Sequence, residues 1–134
     1  MEETIKRLNE ITERLNTVQN ANTHNLRVIL EHLPFVVAQF DKDYRHTFIN
    51  RRVSEELGIS PEQIVGKTNR ELDMPDEVCD TWEAGIKRTF ESREIQKVVI
   101  KYEDGRVWDT TMIPERTNGS VRSVITITSR VHTG

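Results

Sequence analysis

Residues 95–128, IQKVVIKYEDGRVWDTTMIPERTNGSVRSVITIT, decide the fold. Three strand-like runs, Ile95–Tyr102, Arg106–Pro114 and Val121–Thr128, are separated by Asp104-Gly105 and Asn118-Gly119. Both dipeptides favour tight hairpin turns, because glycine takes positive φ without strain. A three-residue loop Glu103-Asp104-Gly105, with Gly105 left-handed, pairs Ile100 with Trp108 and Val98 with Thr110. In the middle run Trp108, Thr110 and Met112 alternate with Val107, Asp109, Thr111 and Ile113, the period of a strand with two distinct faces. A two-residue turn at Asn118-Gly119 pairs Met112 with Ile125 in the last run. One residue of loop length would exchange every side chain of that run between the faces.

Upstream of this meander, Pro75 opens a helix that carries Val78, Trp82, Ile86 and Phe90 on one face at four-residue spacing. Earlier still, Phe35–Phe40 reads as a strand, Asp41–Tyr44 as a turn and His46–Ile49 as a second strand. Asn50 is placed to cap a short helix that Gly58 ends. Ser60-Pro61-Glu62-Gln63 is a capping box with proline at the first helical position, closed by Gly66, and Thr68-Asn69-Arg70-Glu71 is a second box. Two strands, several small helices, one longer helix and a three-strand meander make an α+β fold.

Residues 1–33 have a different texture, with no Gly or Pro. Leu8, Ile11, Leu15 and Val18 follow the 3-4-3 spacing of a coiled-coil seam, with Ile5 leading in. Asn22 falls where an apolar residue is due, and the pattern resumes at Leu26, Ile29 and Leu33, a stutter that unwinds a supercoil locally. The polar run Asn20–Asn25 is a hinge or the start of a second helix. The stripe is narrow, which suits an identical partner helix better than a globular surface. We therefore expect a homodimer with Leu8, Ile11, Leu15, Val18, Leu26, Ile29 and Leu33 in its interface. The competing arrangement is one amphipathic helix lying on its own domain. The expected organisation is a coiled-coil-like helix and linker over 1–25, a globular domain over 26–130 and a tail over 131–134.

Composition narrows the function. The chain has 134 residues with 19 Lys+Arg against 22 Asp+Glu, a net charge of −3, which argues against nucleic acid as a partner. A single Cys excludes an intrachain disulfide and a C-x-x-C metal or redox site. There is neither a run long enough to span a membrane nor a signal segment, so a cytoplasmic protein is expected. Asp41 and Asp43 are turn residues and not a calcium loop, because Arg45, His46 and Arg52 stand where that loop needs an oxygen donor, a Gly and a Glu. No nucleophile elbow, zinc-protease helix motif or phosphate loop is present, so no enzyme activity is expected in this chain.

Taken in order, the motifs resemble a PAS domain, the sensory fold of bacterial and archaeal signalling proteins such as sensor histidine kinases. The resemblance covers about residues 26 to 130. It rests on Ile29–Pro34, Phe40–Arg45, Phe48-Ile49-Asn50, Glu56–Lys67, Asp104–Trp108, Pro114 and Gly119. It implies a five-stranded antiparallel sheet with short helices on one face, preceded here by the N-terminal amphipathic helix. Signal-relaying members usually end the last strand with Asp-Ile-Thr, where this chain reads Arg130-Val131-His132. Either the output runs upstream through the N-terminal helix, or the chain is a fragment cut before its effector.

The fold hosts flavin, haem, small metabolites or nothing, so each chemistry needs its own residues. Blue-light members attack flavin with a Cys in Gly-x-Asn-Cys-Arg; here Gly66-Lys67-Thr68-Asn69-Arg70 has Asn69 at that place, which excludes the thiol adduct. Haem members commonly take an axial His from the long helix, and residues 75–91 have none. His24, His32, His46 and His132 are scattered and read as surface or edge residues. Cys79 lies in the first helical turn, where the helix dipole would lower its pKa, but it reads foremost as a small packing residue. No cofactor is expected, and an unidentified small molecule remains open.

The resemblance turns the Trp108 face inward and places Val124, Thr126 and Thr128 inside, against the pairing that a two-residue Asn118-Gly119 turn implies. The expected pocket is then lined by Ala38 and Phe40, Val98 and Ile100, Trp108, Thr110 and Met112, and Thr126 and Thr128. The outer face would carry Val99, Val107, Ile113, Val121, Ile125 and Ile127, and the segment of Leu26, Ile29, Leu30 and Leu33 is its natural cover. Two functions follow. One is a sensor that relays occupancy of its core to an attached effector through the N-terminal helix of a homodimer. The other is a ligand-free dimerisation and interaction module.

Overall fold

The computed structural model describes residues 2–17, 28, 29 and 31–131, with the backbone alone for 12–17. Helix α1 (Glu2–Thr17) precedes strands β1 (Val36–Phe40) and β2 (His46–Ile49). Two short helices, α2 (Arg51–Leu57) and α3 (Pro61–Ile64), lead to the long α4 (Asp76–Ser92). Strands β3 (Gln96–Lys101), β4 (Val107–Thr117) and β5 (Ser120–Arg130) complete one sheet in the order β2-β1-β5-β4-β3, antiparallel throughout. The last hairpin is longer than its apolar residues suggest. Backbone ladders do not need apolar side chains, and Glu115–Thr117 and Ser129–Arg130 extend the pairing.

Register decides which side chains meet. Ile100 pairs with Trp108 and Val98 with Thr110, as the three-residue loop requires. At the next hairpin Asn118 (φ 52°) and Gly119 (φ 81°) form a two-residue turn between Thr117 and Ser120. Continued without interruption, this turn would set Met112 opposite Ile125. The ladder shifts between Glu115, which faces Ser123, and Arg116, which faces Val121, so that Arg122 is an extra residue on β5. This β-bulge moves Met112 opposite Thr126 and turns Val124, Thr126 and Thr128 inward. Both sequence signals hold, and the bulge reconciles them.

The bulge also corrects one expected outer residue. Val121, paired with Arg116, lines a surface cleft with Tyr44 and Phe90 on the helix side of the sheet. On the outer face Val37, Thr111 and Ile127 are buried within the single chain, Val107, Ile113 and Ile125 are half-buried, and Val99 is exposed. Along α1, Thr4 is buried and Ile5, Leu8 and Ile11 are half-buried. Ile29 and Leu33 are also half-buried. The Leu15 side chain, Val18, the stutter at Asn22, Leu26 and Leu30 lie outside the described residues.

Helices α2, α3 and α4 sit on the inner face. There Ala38, Phe40, Ile49, Met112 and Val124 pack with Val53, Ile64 and Ile86, while Val78 joins Ile100 and Trp108. Gly85 sets how near α4 comes to the sheet, since a Cβ there would lie 2.8 Å from Met112 Sδ and 2.9 Å from Val98 Cγ2. Two expected caps behave differently. Asn50 precedes α2 but turns its side chain to β1, accepting from Val37 N–H at 3.1 Å and donating to the Phe35 carbonyl at 2.8 Å. Thr68 and Glu71 exchange reciprocal backbone-to-side-chain hydrogen bonds of 3.0 and 3.1 Å, yet only turns follow. The Ser60–Gln63 box does cap α3.

Candidate functional site

A cavity of about 80 Å³ lies between the sheet and the helices. The inner face of β1 supplies Val36, Ala38 and Phe40, and β3 and β4 supply Ile100 and Trp108. Thr126 and Thr128 close the floor from β5, a position they owe to the bulge. The roof comes from Val53 and Leu57 of α2, Trp82 of α4, and Asn69 and Met74 of the intervening loop. His46, Tyr102 and the exposed Glu56 complete the lining. The volume is small beside the ~300–1,000 Å³ of drug-sized ligand sites, and suits a molecule of few atoms or several waters.

Six of the expected pocket residues, Ala38, Phe40, Ile100, Trp108, Thr126 and Thr128, line this cavity. Val98, Thr110 and Met112 share the inward face but do not reach it. Met112 and Val98 fill the space beneath Gly85, and the Thr110 hydroxyl is held by Thr128 Oγ1 at 3.0 Å. Nine lining residues are not among the expected pocket residues: Val36 of β1, Val53, Glu56 and Leu57 of α2, and His46, Asn69, Met74, Trp82 and Tyr102. Trp82 had a visible signal in the four-residue stripe of α4. Val53, Glu56 and Leu57 sit on a helix of only seven residues, and the rest on strands and loops where no helical period marks the inward direction.

The polar groups of the site differ in whether they already have partners. Thr126 Oγ1 gives its one proton to the Ala38 carbonyl at 3.1 Å, and the Thr128 hydroxyl shares a single hydrogen bond with that of Thr110. Trp82 Nε1 and Trp108 Nε1 are buried donors without a hydrogen-bond partner. His46, expected at the surface, is only 3 % exposed and its ring lies 4.4 Å from that of Phe40. Burial pushes its pKa below 6.5, partly opposed by the hydrogen bond to Lys67, so the ring is neutral near pH 7. Its Nδ1 lies 2.7 Å from the Lys67 carbonyl, which can only accept, so Nδ1 carries the proton and Nε2 the lone pair. Burial likewise raises the Tyr102 pKa and keeps the phenol protonated, against the milder opposite pull of Arg106, whose guanidinium lies 4.4 Å from the ring centroid.

The other expectations for chemistry resolve by geometry. Cys79 is fully buried, its Sγ donates to the Met74 carbonyl at 3.4 Å, and burial raises its pKa. Desolvation thus outweighs the helix dipole expected to lower it. Asp41 Oδ1 accepts from the backbone N–H groups of Asp43 and Arg45 at 2.9 and 3.0 Å, an Asx turn. Arg70 gathers Asp76, Asp80 and Glu83 into an exposed ion-pair network, which raises its pKa further above the ordinary arginine value. Among the described residues no group of three or more His, Cys, Asp or Glu could hold a metal, and no helix is long and apolar enough to cross a membrane.

Comparison with known proteins follows the same fold. No curated protein matches the chain in sequence. A sensory box sensor histidine kinase from Vibrio cholerae superposes with a TM-score of 0.65 at 16% identity, over 90% of this chain and 99% of that one. The PAS domain of BvgS from Bordetella pertussis gives 0.67 at 17% identity, over 82% and 86%. Vibrio cholerae VqmA, described as a dimer and as a LuxR-type receptor, gives 0.68 at 20% identity; this chain is covered over 83% but spans only 52% of VqmA. A family model described as PAS fold matches residues 30–132. With that match, a five-stranded antiparallel sheet and its helical layer, the chain belongs to the PAS-fold family.

Proposed function

We propose that the chain is a sensory signalling module whose cue is a small molecule held between the sheet and the helices. The observation that carries this reading is the unfilled cavity of about 80 Å³ between the sheet and the helices, walled by Trp82, Trp108, Phe40 and His46. A fully packed structural core leaves few voids larger than a water molecule, because each void forfeits the contacts of its lining. A related structure is described as VqmA bound to DPO, so a relative of this fold takes a ligand. In this reading occupancy alters how the sheet holds the N-terminal segment, and a homodimer formed through Leu8, Ile11, Leu15, Val18, Leu26, Ile29 and Leu33 passes the change to an effector. Neither haem nor flavin is assigned to it: Asn69 in the lining cannot form the thiol adduct, and the cavity volume is far below that of a flavin or a haem site.

Native mass spectrometry of the purified chain tests both parts at once. A dimer that retains a small molecule, lost on mild activation, is the expected result. A dimer with no retained mass, whose melting temperature rises with protein concentration but with no small-molecule addition, would favour the dimerisation module instead.

A further inference from the structure

We infer that the cavity ligand presents an N–H or O–H hydrogen-bond donor, and that Nε2 of His46 is the acceptor that receives it. This rests on the reading of the cavity as a ligand site and adds the polar group the ligand carries. His46 lines the cavity from the first position of β2. Its Nδ1 proton goes to the Lys67 carbonyl, and Lys67 is not part of the lining. The His46 backbone N–H donates to the same carbonyl at 3.0 Å, and the His46 carbonyl accepts from Gly66 N–H at 2.8 Å. Ring and backbone are thus both fixed to the turn at 66–67, which sets the acceptor in place before a ligand arrives. The Nε2 lone pair points away from Nδ1, and Nε2 has no hydrogen-bond partner among the described residues. Unlike the indole nitrogens of Trp82 and Trp108, which are closed to a water-sized atom, Nε2 keeps open surface. In this tautomer Nε2 only accepts, so what satisfies it must donate.

The rest of the lining is also richer in acceptors than in donors. Thr126 has given its one proton to the Ala38 carbonyl, so its oxygen is left to accept. Glu56 brings a carboxylate at the exposed side, and no Lys or Arg lines the cavity. Asn69 and Tyr102 donate or accept as a ligand requires. A carboxylate ligand would set acceptor against acceptor, with no cation in the lining to offset its desolvation. A hydroxyl, a neutral N–H or an ammonium meets no such conflict. The aromatic walls suit a flat apolar body, and about 80 Å³ limits it to a molecule near the size of one small ring.

Pyrrole and furan are flat rings of nearly the same size, and only pyrrole carries an N–H donor. Both are titrated into the full chain at pH 8, where the His46 ring is neutral. NMR follows the backbone amides of Ala38 and Thr126 and the Nε2 resonance of His46, assigned by through-bond correlation to the His46 backbone. Pyrrole is expected to bind about three- to tenfold more tightly than furan, the worth of one neutral hydrogen bond. It should also move the Nε2 resonance upfield, which furan should not do. His46→Phe keeps a ring but removes the acceptor, so the preference should vanish while furan binds as before. Acetate, with acceptors only, should not bind. Equal affinity for the two rings, a preference that survives in His46→Phe, or acetate binding as tightly as pyrrole overturns the donor rule while leaving the cavity a ligand site. Lining amides that respond to neither ring overturn the ligand-site reading itself. If His46→Phe does not fold, the Nε2 resonance of the wild-type chain decides: a shift with pyrrole alone supports the assignment, and the same response to both rings overturns it.

Discussion

Replacing Gly85 by Ala tests how closely α4 is held to the sheet. The helix gains about 1 kcal/mol from the substitution, because glycine is the poorer helix former. Against this, the new methyl would sit 2.8 Å from Met112 Sδ, 2.9 Å from Met112 Cε and 2.9 Å from Val98 Cγ2, where carbon contacts settle at about 3.5–4.0 Å. Met112 is fully buried and its thioether has little room to retreat. Val98 is β-branched and stiff about χ1. Overpacking costs roughly 1–3 kcal/mol, and contacts below 3 Å to two side chains put this case in the upper part, about 2–3 kcal/mol; less the helix gain, we expect a net loss of about 1–2 kcal/mol. For a chain of this length that lowers the melting temperature by roughly 4–8 °C. Circular dichroism at 222 nm, which follows helix loss on heating, is the assay. Val98→Ala should cost stability alone but part of its cost should vanish in the Gly85→Ala background, because the two changes share one contact. A Gly85→Ala chain as stable as wild type, or strict additivity with Val98→Ala, would refute the reasoning.

Trp108→Ala removes a 9% exposed ring that packs with Val78 and Ile100, and should cost about 3–5 kcal/mol in urea unfolding; a loss below 1 kcal/mol would contradict its burial. His46 is held neutral, so the unfolded chain takes up its proton first: stability should be flat above about pH 6.5 and fall below it by at most about 1.4 kcal/mol per pH unit. In His46→Asn this fall should be much reduced, and the same slope in both proteins would place the titration elsewhere. If the proposed dimer forms through the helix, deleting residues 1–20 should abolish or greatly weaken it in sedimentation while the far-ultraviolet spectrum of the domain survives; a monomeric full chain, or an unchanged dimer after the deletion, would rule out pairing through the helix.

What could be read from the sequence tracks how local its cause is. Glycine and asparagine at the turns, the proline that opens α4 and its four-residue stripe each act over a few residues, and the elements they predict are present. The inward direction of β5 could not be settled by either local signal alone, because it depends on a bulge at Arg122 that no turn residue announces. His46 was misjudged for a similar reason. A short edge strand suggests exposure, but the ring of its hairpin partner Phe40 and the Lys67 carbonyl, 21 residues on, enclose the side chain. Asn69, Met74 and Tyr102 reach the cavity from loops, where burial is decided by tertiary closure and not by any period. Cys79 shows the opposite limit: its helical position was legible, but the balance between dipole and desolvation needs the depth of the site.

The extra residue at Arg122 gives the tip of the last hairpin a way to change length without disturbing the floor of the cavity. Without it, the two-residue turn between Thr117 and Ser120 would dictate which side chains of β5 face inward, and a one-residue change in turn length would invert the floor. With it, a lineage that lengthens the turn by one residue and loses Arg122 in the same step keeps Thr126 and Thr128 where they are. The far end of the hairpin is thereby free to diverge in length, provided that its losses and gains come in compensating pairs.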